Sequence, residues 1–219
     1  MDQAMIQARL DAGYGRAAAR LGASCAIYRP DAHQAAIPAM DARWNMGSVA
    51  AWFGGDANFA LVRPRVAEKP QVYVAVDRSV LQAGDYLLDP EGNTYFLGSM
   101  QPLMATPAIW CNRALTLQRP SIAPGANFYG GNAAGNIATL LTAWPGFVAA
   151  RTRGIEPEGK LPVETRLGAT VLYLPPTPGV EILPNDILAD DQADPMRYTV
   201  TQASGSDWGW IVEAYDSRA

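Results

Sequence analysis

Residues 84–97 read Gly84-Asp85-Tyr86-Leu87-Leu88-Asp89, then Pro90-Glu91-Gly92-Asn93, then Thr94-Tyr95-Phe96-Leu97. About a hundred residues later the pattern returns as Asn185-Asp186-Ile187-Leu188-Ala189-Asp190, an acidic turn, then Tyr198-Thr199-Val200. In each copy a turn residue and Asp precede a short apolar run, a second Asp opens a loop, and Tyr95 or Tyr198 begins the return segment. An apolar residue, Leu81 or Ile182, stands four positions before the leading Asp. Short apolar runs bracketing Pro, Gly, Asn and Asp predict two strands joined by a hairpin. Two such hairpins predict two small related β modules rather than one catalytic core. An Asp at a strand entry is suited to accepting hydrogen bonds from nearby backbone N–H groups.

Working outward, Ile6, Leu10, Tyr14, Ala17 and Leu21 share one helical stripe over residues 2–21. Asp2 is placed to cap that helix and Gly22 to end it. Gly13 and Gly15 each weaken it by about 1 kcal/mol relative to Ala. The helix therefore needs a surface to lie on, in its own domain or in a neighbouring subunit. The segment 47–55 reads as a short helix or turn, and 59–63 as a strand ended by Pro64. Residues 72–76 read as a strand or a helical turn, and Ile109 to Gln118 as one strand with a break near Asn112. Residues 169–174 and 210–215 read as strands. The expected organisation is an N-terminal helix and interaction segment (1–70), a first β module (71–119), a Gly/Pro-rich connection with a short helix (120–165) and a second β module (166–219). The fold class is mainly β with an N-terminal α-helix (α+β), as two small β-barrel-like modules.

With 219 residues, 49% of them hydrophobic, the chain can build such cores, and its net charge of −4 disfavours a simple nucleic-acid binder. Arg151, Arg153 and Arg166 form a local basic stretch. Cys25 and Cys111 make no disulfide framework. The N-terminus lacks the pattern of a secretory signal, and no apolar run reaches the roughly 18 residues of a membrane span.

Candidate chemistry is sparse. His33 is the single histidine and has no nucleophile elbow beside it, so a Ser-His or Cys-His arrangement is disfavoured. One His and two distant Cys do not make a zinc site. Asp190, Asp191 and Asp194 offer a conceivable cation turn without EF-hand spacing. The glycines at 125–135 are not followed by the Gly-Lys-Ser/Thr of a phosphate loop. Asp85 and Asp186 occupy the same place in two repeats, whereas a hydrolytic carboxylate pair needs two unlike environments. No catalytic, cofactor or metal residue is assigned. Trp44, Trp52, Trp110, Trp144, Trp208 and Trp210 supply core anchors, interface hot spots or sugar-stacking platforms.

The repeated entry, Gly84-Asp85 with Tyr95-Phe96-Leu97 and Asn185-Asp186 with Tyr198-Thr199-Val200, resembles the small β-barrels of tailed-phage head-to-tail joining and tail proteins, the stoppers and adaptors. The helix ending Ala17-Ala18-Ala19-Arg20-Leu21-Gly22 and the block Met100-Gln101-Pro102-Leu103 are similar to phage virion proteins. The resemblance implies a non-enzymatic component of a tailed-phage or prophage virion, made in the host cytoplasm. It implies a homo-oligomeric ring that meets other neck or tail proteins, with DNA only as cargo in a channel and no membrane partner. The structural repeat is Gly84, Asp85, Asp89, Tyr95, Asn185, Asp186, Asp190 and Tyr198. Candidate interface residues are Ile6, Leu10, Tyr14, Leu21, Trp52, Phe128, Tyr129 and Trp144. The alternatives are a carbohydrate- or receptor-binding β module and a carboxylate-dependent hydrolase using Asp85 or Asp186.

Overall fold

The computed structural model describes residues 2–54, 70–120, 137–150 and 169–217. One helix, α1 (Gln3–Leu21), precedes two closed six-stranded barrels. The first comprises β1 (Ala23–Tyr28), β2 (Asn45–Gly54), β3 (Gln71–Val76), β4 (Tyr86–Leu88), β5 (Thr94–Leu97) and β6 (Thr106–Cys111). Its strand order is β1-β2-β3-β6-β5-β4, closed by pairing of β4 with β1. The second comprises β7 (Arg113–Pro120), β8 (Ile137–Ala150), β9 (Ala169–Leu174), β10 (Ile187–Asp190), β11 (Arg197–Ser206) and β12 (Gly209–Ser217). Its order, β7-β8-β9-β12-β11-β10, repeats the first strand for strand, and β10 closes on β7.

The repetition extends to register. Tyr28 faces Tyr86, which faces Phe96, which faces Ile109; at the same places Gln118 faces Ile187, which faces Thr199, which faces Tyr215. Trp52 faces Ala75 as Phe147 faces Tyr173. A bulge interrupts β1/β2 between Ile27 and Tyr28, and another interrupts β7/β8 at the equivalent step, between Leu117 and Gln118. A bulge of this kind bends the strand and helps to turn a sheet into a barrel.

Alternation of side chains along each strand divides inside from outside. Cys25, Ile27, Val74, Val76, Leu87, Leu97 and Ala108 fill the first barrel. Leu115, Leu117, Leu172, Leu188, Val200 and Val212 belong to the core of the second. That second core does not stop at the barrel wall. Tyr86 and Phe96, whose neighbours Leu87 and Leu97 point into the first barrel, turn outward and join it. Tyr86 meets Trp144 edge-on at 6.3 Å, and its hydroxyl donates to the Pro145 carbonyl at 2.8 Å. Burying each of these aromatic side chains contributes about 1.5–3 kcal/mol, so the barrels form one packed unit. The connection after β1 adds a strap: Ala32 and Ala39 are buried in the shared core, Pro38 bridges to Thr142, and Thr142 Oγ1 donates to the Ala35 carbonyl.

The expected fold class holds, as two barrels with one N-terminal helix, but the expected module bounds need correction. Strands β1 and β2, placed in the 1–70 segment, are part of the first barrel, so 47–54 is strand rather than helix or turn. The run 109–118 is two strands in different barrels, parted at Asn112, which exchanges side-chain hydrogen bonds with both backbone groups of Val148. The short helix expected near 137–144 is β8, which continues through Pro145 and Gly146. Pro145 is tolerated because β8 is bulged nearby. Gly146 is required by packing: a Cβ there would lie 2.7 Å from the Tyr173 carbonyl oxygen. Glycines in β2 and Pro145-Gly146 in β8 carry the signature of turns, which hid both strands. The strand expected at 59–63, the glycines of 125–135 and the basic stretch at 151–166 lie outside the described residues.

Helix α1 packs on β2 and β3 of its own barrel. Its inward face takes in the expected Ile6, Leu10, Tyr14 and Ala17 together with Gln7, Asp11, Gly15 and Ala18 one residue on, whereas Leu21 is exposed. Gln7 Oε1 accepts from Leu103 N at 2.6 Å, and Asp11 pairs with Arg78 at 3.4 Å. A Cβ on Gly15 would lie 3.2 Å from that of Asp77, and one on Gly22 would lie 2.2 Å from the Ala51 carbonyl oxygen. Asp2 occupies the N-cap position without a side-chain capping bond, and Gly22 is extended rather than left-handed.

Candidate functional site

The repeated hairpin residues converge on two identical ion-pair corners. Asp85 is 1% exposed; Arg29 Nε and Nη2 donate to its two oxygens at 2.7 Å each, and Gln82 N donates at 2.8 Å. Asp186 repeats this with Arg119 at 2.7 and 2.7 Å and Leu183 N at 2.8 Å. Each Arg spends its remaining reach on a carbonyl, Val80 for Arg29 and Glu181 for Arg119. Hydrogen bonding to the facing Asp raises both guanidinium pKa values further above their ordinary range. The preceding residue is left-handed in both copies, Gly84 at φ 89° and Asn185 at φ 72°. Glycine and Asn are the residues that adopt this conformation at least cost, which explains why they alternate here.

The second Asp of each copy organises the hairpin turn. Asp89 accepts from the backbone of Glu91 and Asn93, at 2.9 and 2.8 Å. Asp190 accepts from Met196 N at 2.9 Å and from the Tyr198 hydroxyl at 3.3 Å, with Arg113 at 3.8 Å. Burial, helped by the Asp190 charge, pushes the Tyr198 phenol up to about 12. Tyr95 stacks on Phe53 at 4.1 Å and is also raised to about 12, chiefly by burial. The repeat residues are thus brought together within each barrel, and the backbone-binding role expected of the leading Asp is present. Asp85 and Asp186 have matching environments, each saturated by an Arg fork, unlike a hydrolytic pair. Among the described residues, no three His, Cys, Asp or Glu side chains gather as metal ligands. His33 lies on the surface against Gly179, where a Cβ would come within 2.1 Å of its ring.

Sequence reasoning missed Arg29 and Arg119. The signal was available: each is followed by proline, as Arg29-Pro30 and Arg119-Pro120, at the end of the strand that pairs with its Asp strand.

The expected interface residues separate. Ile6, Leu10 and Tyr14 are half-buried on α1, and Leu21 is 63% exposed. Trp144 is a correction: it is buried between the two barrels and presents nothing to another subunit. Trp52 is half-buried on β2, beside a groove of about 350 Å³ that includes Leu21, Phe53, Asp89 and Glu91. Phe128 and Tyr129 lie outside the described residues.

A second concavity, also about 350 Å³, opens along the seam between the barrels. The first barrel contributes Gln71, Gly98, Pro107 and Ile109, and the second contributes Tyr173, Trp208, Trp210 and Ile211. Trp208 is 41% exposed at the rim. Trp210 Nε1 donates to Thr177 Oγ1 at 2.9 Å, which leaves its ring as a fixed wall. Comparison with protein-family models, with curated proteins and with solved structures finds no match for this chain.

Proposed function

We propose that this chain is a non-enzymatic structural component of a tailed-phage or prophage virion, assembling as a ring in the neck or tail and joining adjacent rings. The observation that carries the assembly reading is the duplication itself. One chain holds two in-register copies of a barrel, and the outer face of the first docks on the wall of the second. Such a contact is heterologous, and heterologous contacts close into rings when the rotation permits. A ring of n chains then presents twice n barrels around its axis. The virion placement rests on the resemblance of the hairpins. Its partners are further copies and other neck or tail proteins, and it is made in the host cytoplasm. DNA enters only as cargo, which a chain of net charge −4 allows to slide rather than stick. No described helix is long and apolar enough to cross a membrane.

Native mass spectrometry of the full chain over a range of concentrations, with negative-stain imaging, tests this. Closed particles of one copy number support the ring, and a monomer at every concentration counts against it.

The aromatic seam favours one second reading, a carbohydrate- or receptor-binding module. Trp208 and Tyr173 offer apolar faces of the sort sugars stack on, with Gln71 at the edge. Glycan binding by the wild-type protein that Trp208→Ala abolishes would support that reading; no binding on a broad glycan panel would remove it.

A further inference from the structure

The register equivalence allows the surroundings of each barrel to be compared position by position. On the second barrel, β8 carries the docking contact: it packs against β5 and β6 of the first barrel, and Phe147 is buried 6.1 Å from Trp110. On the first barrel the counterpart of β8 is β2, and the counterpart of Phe147 is Trp52. That face holds no barrel. It holds α1, which packs on β2 and on β3, the strand of Ala75 (1% exposed), the counterpart of Tyr173. The helix therefore sits where, one repeat further on, a barrel sits.

We propose that α1 is a displaceable cap on a barrel-docking face, and that moving it opens the face to the second barrel of another copy. The donor surface follows from the same register. Inside the chain Tyr86, Phe96 and Ile109 dock; their counterparts on the second barrel are Ile187, Thr199 and Tyr215. Tyr215 is 43% exposed there, whereas Ile187 is 8% exposed and already covered, so Tyr215 carries the free part of this surface. Thr199 in place of Phe96 makes this contact weaker than the one inside the chain, which suits a reversible junction.

The seat of α1 is built to release. Ala18 is its one buried residue. Gly13 and Gly15 lie in its interior, each lowering helix stability. One of its few polar ties, from Gln7 to Leu103, is made to a residue held at φ 60°, a conformation that costs a leucine about 1–2 kcal/mol. In repeat arrays a terminal element of different type commonly shields the last docking face from further addition. The inference rests on self-assembly but not on where in a particle the chain resides.

Two full-length variants test it. Gly15→Cys with Asp77→Cys places the new Cβ atoms about 3.2 Å apart, within a few tenths of an ångström of disulfide geometry, and locks α1 when oxidised. Asp11→Lys with Gly15→Val sets a cation against Arg78 and bulk against Asp77, and so lifts α1. Hydrogen exchange of residues 3–21 verifies each state, and near-ultraviolet circular dichroism verifies folded barrels. By sedimentation velocity, the lifted protein should associate at concentrations about tenfold or more below those the wild type requires. The oxidised lock should stay monomeric until reduced, and adding Tyr215→Arg to the lifted variant should restore wild-type behaviour. A lifted, folded variant that remains monomeric overturns the cap. So does association that survives Tyr215→Arg, because the occupant is then not the second barrel. Rings formed by the oxidised lock overturn the cap and leave the ring reading intact. Open-ended oligomers from the lifted variant keep the cap and remove ring closure.

Discussion

Replacing Asp85 or Asp186 with alanine tests whether the twin corners are structural and equivalent. Each substitution removes two short guanidinium hydrogen bonds and one to a backbone N–H. Breaking a buried ion pair by deleting one partner costs about 3–5 kcal/mol. Arg29 and Arg119 keep 29% and 34% of their side-chain surface exposed and can re-solvate. The lower end applies, about 3 kcal/mol for each corner. For a chain of this length, about 2–4 °C per kcal/mol converts this to a fall in Tm of about 6–12 °C. The two sites sit in different barrels and share no partner, so the double variant should lose about 6 kcal/mol. Calorimetry, with urea midpoints at constant m, measures both. Arg29→Met should cost more than Asp85→Ala, because it strands an almost fully buried carboxylate. A change in Tm below about 2 °C at either corner would refute the reasoning, as would costs differing by more than about 1.5 kcal/mol. Loss of a measurable activity at unchanged Tm would point instead to the hydrolase reading.

Three further outcomes are expected. Tyr86→Phe removes the buried hydroxyl that serves the Pro145 carbonyl in the seam, and should cost about 1–2 kcal/mol by urea denaturation; no change would mean that this carbonyl finds another donor. Replacing a whole corner, as Arg29→Met with Asp85→Leu, should cost much less than Asp85→Ala but loosen the pairing of β4 with β1, seen as doubled amide resonances for Tyr86–Leu88; a single sharp set would refute a register role. Burial raises the Cys25 thiol to about 11 and the Tyr95 and Tyr198 phenols to about 12 in the folded chain. Folding then retains protons that the unfolded chain releases. The associated stability is fully present below the unfolded values, about 8.5 for Cys and 10 for Tyr, and is lost as pH rises through the folded ones. Melting temperature should therefore fall between about pH 9 and 12, and a Tm that stays constant across that range would contradict it.

The hairpin repeat was legible because it combines residues with narrow uses: a left-handed residue, a buried Asp, an apolar pair and a Tyr. The rest of the duplication was not, and the register shows why. Arg29 and Arg119 are 90 positions apart, Trp52 and Phe147 are 95, Ala75 and Tyr173 are 98, Asp85 and Asp186 are 101, Tyr95 and Tyr198 are 103, and Ala108 and Ala214 are 106. The offset grows from each paired position to the next along the chain, so no fixed period aligns the halves. Paired positions also differ in size, Ala75 against Tyr173 and Val49 against Trp144, because the first barrel receives a helix where the second receives a barrel. The strands interrupted by Gly or Pro, β2 and β8, were read as helix or turn. One sparse signal survives the drift, the Arg-Pro pairs at 29–30 and 119–120, and the same dipeptide at Arg63-Pro64 dilutes it.

What the corner accomplishes follows from where it sits. In both barrels sequential strands pair except at two places, where the third meets the sixth and where the fourth returns to pair with the first. That pairing is short, three residues for β4 and four for β10, and it closes the barrel. Side chains alternate with period two, so a slip of one residue there would turn Leu87 or Leu188 out of its core. Apolar contacts alone fix such a short pairing poorly. A bidentate fork does so sharply: Arg at the end of the first strand meets Asp at the entry of the fourth in a single geometry. Its net contribution to stability is modest, because both charges leave water to form it. What it specifies is register at closure. The same latch stands at the same seam of both barrels with different neighbours around it, which is the pattern expected of a device for folding one architecture twice.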